Sequence, residues 1–158
     1  GMRAYDYVNR LMEQNRKNSA LLSAKPTETN AAAERMAEEL AGVKYRVSQL
    51  ENELFALKAK AYAGESNVLL FESAMGPDAV RRFADAILAG CTGRIAIFAG
   101  DDEQGYKYAL CQKDGDLRQT VKALNAACNG RGGGKPFFAQ GSVQASRAQL
   151  EVFFASLG

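Results

Sequence analysis

Histidine is missing altogether from this 158-residue sequence. That removes at once the commonest general base at neutral pH and the commonest zinc ligand, so neither a catalytic residue nor a metal ligand is assigned to this chain. Cysteine is scarce: Cys91, Cys111 and Cys128 are widely spaced, odd in number and never in a CxxC pair, which argues against a disulfide framework or a zinc site. They read as reduced, structural thiols. A run of about eighteen apolar residues is lacking, as is a signal-peptide pattern, so no membrane partner is expected and a cytoplasmic location is.

What is present is ordinary in bulk, with 47% apolar and 24% charged residues, enough to bury one core and carry an appendage. The distribution is less ordinary. Five of the 15 glycines fall in NGRGGGKPFFAQGS, residues 129 to 142, although a glycine inside a helix or strand costs roughly 0.5–1 kcal/mol against alanine. The same region is basic: Arg118, Lys122, Arg131, Lys135 and Arg147 face only Asp116, which invites an anionic partner.

This stretch is neither of the two common phosphate motifs. A Walker A loop needs a glycine at position 129 and Ser or Thr at 136, where Asn129 and Pro136 stand. A dinucleotide fingerprint would place Lys135 where its last glycine belongs, and would follow a strand where a helix is expected here. What remains is bare backbone whose N–H groups can converge on an anion beside Arg131 and Lys135. The competing reading is a helix C-cap at Gly130 followed by a tight packed turn, and on this ground alone the two stand level.

The rest of the chain reads as two parts. Residues 2 to 23 form a helix whose Arg3, Arg10 and Lys17 share one solvated face. Met36, Leu40, Val43, Val47, Leu50, Leu54, Leu57 and Ala61 then recur at spacings of four and three, a heptad seam that needs a partner helix. Either residues 2 to 23 folded back or the same helix of a second chain satisfies it. The boundary falls near residue 64, giving a helical linker over 1–64 and a globular domain over 65–158. VLLFE (68–72) and RIAIFAG (94–100) read as parallel strands joined by a helix opening at Pro77 and ending at Gly90. YKYALCQ (106–112) should hairpin back, a helix should run from Asp116 to the glycines, FFAQGSV (137–143) should be extended, and a helix should close the chain over 145–157. Tyr106, Tyr108, Phe137 and Phe138 read as core. The fold class expected is α/β: a mixed sheet with flanking helices, preceded by a long helical hairpin or coiled-coil segment.

ALNAACNGRGGGKPFFAQGSV, residues 123 to 143, resembles the glycine-rich signature of the DHH-associated domain, subfamily 1, of alanyl-tRNA synthetases and free-standing alanyl-tRNA editing proteins. Gly130, Gly132, Gly133, Gly134, Lys135, Pro136, Ala139, Gln140 and Gly141 fill that pattern, and Asn129 stands where a first glycine often lies. Residues 68 to 157 follow the family's element order, and residues 3 to 40 look like the linker of the editing proteins. The resemblance implies a tRNA-binding, sometimes dimerising module of an enzyme that clears wrongly attached serine or glycine from alanine tRNA. It implies an N-terminal editing domain outside this chain that would carry the zinc, so this chain is expected to be a C-terminal portion without a cofactor of its own. Gly130 to Lys135 would form the phosphate contact, with Arg118, Lys122 and Arg147 as supporting charge and a homodimer through residues 33–61. In the related DHH-type phosphoesterases the same domain holds substrate phosphate, and a purely structural coiled-coil role is the third expectation.

Overall fold

Alternation of apolar residues after Gly64 produces two covered faces on one sheet. In the computed structural model, which describes Gly1–Gly158, the strands are β1 (Val68–Glu72), β2 (Ile95–Asp101), β3 (Gly105–Cys111), β4 (Gly130–Lys135) and β5 (Phe138–Val143). Their order is β1-β2-β3-β5-β4; β1 and β2 are parallel and the other pairs antiparallel. The helices are α1 (Met2–Leu21), α2 (Thr29–Ala59), α3 (Pro77–Gly90), α4 (Arg118–Ala127) and α5 (Arg147–Ser156).

Period-two alternation decides which core each strand residue enters. Ile95, Ile97 and Ala99 of β2 pack with Ala109 and Cys111 of β3 against Val80, Phe83, Ala84 and Ile87 of α3. Ala96 and Phe98 point the other way, joining Tyr106, Tyr108 and Leu110 against Leu117, Val121 and Leu124 at α4 and Leu150 and Phe154 of α5. The mixed α/β sheet with helices on both faces is thus as expected. All three cysteines are free and buried, and burial pushes the Cys111 thiol up to about 12. Ser146 and Gln149 cap α5 reciprocally. By contrast, α4 has no side-chain cap: the helix is preceded by Leu117, and Asp116, where the helix was expected to open, accepts from the Arg118 N–H in a turn.

The chain divides into two compact units, Gly1–Val47 and Ser48–Gly158. The second takes in the end of α2 as well as the sheet. Phe55 is 4% exposed and stacks on Phe83 at 4.7 Å between ring centroids. Arg82 of α3 binds Glu51 at 2.6 Å, Asn52 at 2.6 Å and the Ser48 carbonyl at 3.3 Å, besides Asp78. Hydrogen bonding to Glu51 holds the Arg82 guanidinium above its ordinary pKa. Lys58 forms a pair with Glu72 at 2.9 Å.

In the first unit Ala32 is buried, while α1 has no buried residue. Leu40 and Val43 of the heptad seam remain 54% and 61% exposed. Of the two partners left open for the seam, α1 does not cover it at Leu40 and Val43: Tyr5, Val8 and Met12 are themselves exposed, too sparse an apolar face to do so.

Phe55 is the apolar anchor of α2 on α3. Phe55→Ala is expected to cost about 3 kcal/mol or more, read as a lower midpoint in chemical denaturation; an unchanged midpoint would mean that the Phe55–Phe83 stack adds nothing to the domain.

Candidate nucleic-acid interface

Val121 and Leu124 press α4 onto the sheet, and the helix ends at Cys128. Asn129 then takes a left-handed φ of 47°, a conformation that glycine adopts freely and asparagine tolerates best among the rest. This explains why asparagine can replace a glycine at that place. The left-handed residue that follows the helix is therefore Asn129, one residue before Gly130, where the competing reading put the cap. Gly130 begins β4, so the glycine-rich stretch is a strand at the sheet edge, where a loop was expected.

Close approach explains why glycines build a strand here. Gly130, Gly132 and Gly134 pair with Val143, Gly141 and Ala139, so they share the face on which α4 lies. A Cβ on Gly130 would stand 2.7 Å from Asn125 Oδ1, and one on Gly132 would stand 2.5 Å from the Tyr108 hydroxyl. On Gly134 it would overlap the Phe138 carbonyl, and on Gly141 the Arg131 carbonyl. Bare backbone lets Gly130 sit under the helix and lets β4 and β5 close up over Tyr108, and that packing outweighs the poor strand propensity of glycine. Gly133 is the exception, with no atom within 4 Å of the place its Cβ would take.

Asn125 locks the arrangement. Its Nδ2 donates to the Gly132 carbonyl at 3.1 Å, and its Oδ1 accepts from the Tyr108 hydroxyl at 3.2 Å. Burial raises the Tyr108 pKa, keeping the phenol a donor. No periodicity in the sequence singles out Asn125, whose role depends on a strand distant from it in the chain.

Between α4 and β4 runs a groove of about 280 Å³, walled by Arg118, Lys122, Asn125 and the Gly132–Lys135 backbone. Across the strand, Gly133, Gly134 and Lys135 also border a cleft of about 460 Å³ beside α3, with Arg81 and Phe137 on its wall. The structure thus gathers Arg118, Lys122, Gly132, Gly133, Gly134 and Lys135 at one edge. Arg131 projects from the same strand and is exposed. Lys122, Arg131 and Lys135 make no ion pair within the chain, whereas Arg118 is held by Asp116 at 2.6 Å. That pairing lowers the Asp116 pKa and raises that of Arg118. An edge strand leaves every second N–H without a ladder partner, so donors and cations coincide.

Arg147 is not brought to this edge. Its backbone N–H donates to Asp102 at 2.8 Å, its side chain pairs with Glu151 at 2.8 Å, and its guanidinium lies 4.6 Å over the Phe71 ring. Asp102, which also accepts from Tyr106, is held below its ordinary pKa by these hydrogen bonds. Arg81, paired with Asp85 at 3.8 Å, carries no more signal in the sequence than Asn125 does, and Phe137, expected in the core, is 53% exposed beside Lys135. A cavity of about 660 Å³ lies elsewhere, lined by Gly76, Gly100, Tyr106 and Gln144. Among its lining, Lys107 is the single cation and Asp101 opposes it, so it lacks the charge that marks the glycine edge.

The DHHA1 domain family model matches residues 64–157. The chain belongs to the DHHA1 domain family. In fold, the DHHA1 domain is similar to the C-Ala domain of alanyl-tRNA synthetase from Aquifex aeolicus (14% identity, TM-score 0.50, 60% of this chain and 90% of that one). It is also similar to RecJ from Thermus thermophilus, solved with Mg2+ (17% identity, TM-score 0.50), where 83% of this chain spans 20% of that one. No curated protein matches the sequence.

Gly133→Ala is expected to leave stability within about 0.5 kcal/mol, whereas Gly134→Ala should cost about 1–3 kcal/mol by overpacking; paired denaturation curves that lose stability equally would overturn this division. Arg147→Ala should lower the thermal midpoint and leave any RNA affinity of the glycine edge as it was.

Proposed function

We propose that this DHHA1 domain is the tRNA-binding module of an alanyl-tRNA editing protein or synthetase, and that the glycine edge takes an RNA phosphate. The observation that carries the reading is that Lys122 and Lys135, free of internal ion pairs, line one groove with the backbone of an open edge strand, on which Arg131 is exposed and Gly133 has no packing reason to be glycine. A side-chain-free backbone lets N–H groups reach a phosphate oxygen, and the lysines supply the long-range attraction. Phe137 offers an exposed ring for an unpaired base. The likeness in fold to the alanyl-tRNA synthetase C-Ala domain is matched by the likeness to RecJ, so the choice over the phosphoesterase alternative rests on Lys135, which stands after the glycines where those enzymes usually carry a histidine.

Hydrolysis of a mischarged tRNA then belongs to a separate editing domain. This chain has no histidine and brings together no group of three or more cysteine or carboxylate side chains fit for a metal ion, so the zinc of such a domain finds no ligand set here.

The exposed heptad seam of α2 favours a second role beside the first, homodimerisation through residues 33–61. Apolar side chains at Leu40, Val43, Leu50 and Leu57 that stay about half exposed leave a stripe for a second helix.

Fluorescence anisotropy with alanine tRNA, an unrelated tRNA and single-stranded RNA, each over a salt series, tests the principal reading. Tight, salt-dependent binding of tRNA is expected, and the Lys122→Ala, Lys135→Ala double variant should reduce the slope of log K against log salt by roughly one per lysine. An unchanged slope would place the contact elsewhere; preference for the single strand would favour the phosphoesterase alternative.

A further inference from the structure

Charges flanking the seam specify how two copies would meet. With Leu40, Val47, Leu54 and Ala61 at one core position and Met36, Val43, Leu50 and Leu57 at the other, the residue just before each member of the first set is Glu39, Arg46, Glu53 or Lys60. The residue just after each member of the second set is Ala37, Lys44, Glu51 or Lys58. These two rows edge a coiled-coil seam and select partner orientation.

In a parallel pair each residue of the first row meets the following residue of the second row on the other helix. That would oppose Glu39 to Lys44, Arg46 to Glu51, and Glu53 to Lys58. Two of those positions are already engaged: Glu51 binds Arg82 at 2.6 Å, and Lys58 binds Glu72 at 2.9 Å. In an antiparallel pair the first row meets itself. Its order, Glu, Arg, Glu, Lys, is self-complementary: Arg46 opposes Glu53 of the partner subunit within α2, and Glu39 opposes Lys60 of the partner subunit, which stands in the 3-10 turn Lys60–Tyr62 that continues the helix. All four are exposed and none forms an ion pair within the chain. The same alignment sets Val47 against Leu50 of the partner subunit and Leu40 against Leu57 of the partner subunit, so the apolar layers stay in step.

Resting on the homodimer reading above, we propose that α2 pairs with a second copy of itself antiparallel, with the two-fold axis between residues 48 and 49. The occupant is fixed by charge: the free row Glu39, Arg46, Glu53 and Lys60 complements itself only when one helix is reversed, whereas two of the three pairs of the competing register fall on residues already engaged with α3 and β1.

Sedimentation equilibrium of the whole chain and its variants over the micromolar range is the test. Arg46→Glu sets like charges opposite each other twice by symmetry and should weaken self-association on the order of tenfold. The double variant Arg46→Glu, Glu53→Arg should recover wild-type association, because the two sites exchange charges with each other. In the parallel register the same double variant would face Glu51 with a glutamate and Lys58 with an arginine, so association weaker than that of Arg46→Glu alone overturns the antiparallel arrangement while leaving the homodimer standing. A wild-type chain that is monomeric throughout overturns both. Neither substitution disturbs an internal pair, since the residues three and four away from Arg46 and Glu53 are all uncharged.

Discussion

The domain depends on α4 lying against an edge strand that has almost no side chains. Asn125, reaching from that helix to the Gly132 carbonyl and receiving the Tyr108 hydroxyl, holds β4 at a distance that a Cβ on Gly130 would violate, while a Cβ on Gly132 or Gly134 would run into β5 and its neighbours. Everything at the candidate interface follows from this approach. Were side chains present, the helix would ride higher, the groove beside Lys122 would widen, and the strand's polar edge would be screened from a ligand. The glycines thus serve packing first and leave accessible backbone as a consequence. At Gly133 alone the order is reversed, because no protein atom occupies the space a side chain would fill.

A second constraint joins helix to sheet at the other end of the domain. Arg82 gathers Glu51, Asn52 and the Ser48 carbonyl, while Phe55 stacks on Phe83 beneath it. An apolar stack covered by a part-buried guanidinium is stronger than an exposed pair, since screening falls as water is excluded. It also fixes the rotation of α2 about its own axis over residues 48 to 59, turning Leu50, Leu54 and Leu57 away from the sheet. The seam is therefore left exposed by the packing of the other face, which engages Glu51 and Lys58 and leaves Glu39, Arg46 and Glu53 without ion pairs.

Legibility in the sequence varied with the range of the interaction. The α3 face, Val80, Phe83, Ala84 and Ile87, was readable because helical periodicity is local, and the β2–β3 hairpin was readable from alternation and a short polar turn. Arg118, Lys122, Lys135 and the glycines were legible as a basic, bare-backbone cluster, and they do converge. Arg147 looked equivalent in sequence, yet its charge is spent on Glu151 and Phe71 at the start of α5. Asn125 and Arg81 carried no signal, because each matters only through strands or helices far along the chain.

Composition and spacing over a few residues were enough to establish the kinds of element, their order, the heptad seam, the absence of imidazole chemistry and the family signature. Packing in three dimensions was needed to establish that the glycines form an edge strand, that α1 leaves the seam uncovered, and which cations remain unpaired. Those outcomes turn on contacts across many tens of residues, where a Cβ, a carboxylate or a ring either meets a neighbour or does not, and no local pattern specifies that meeting.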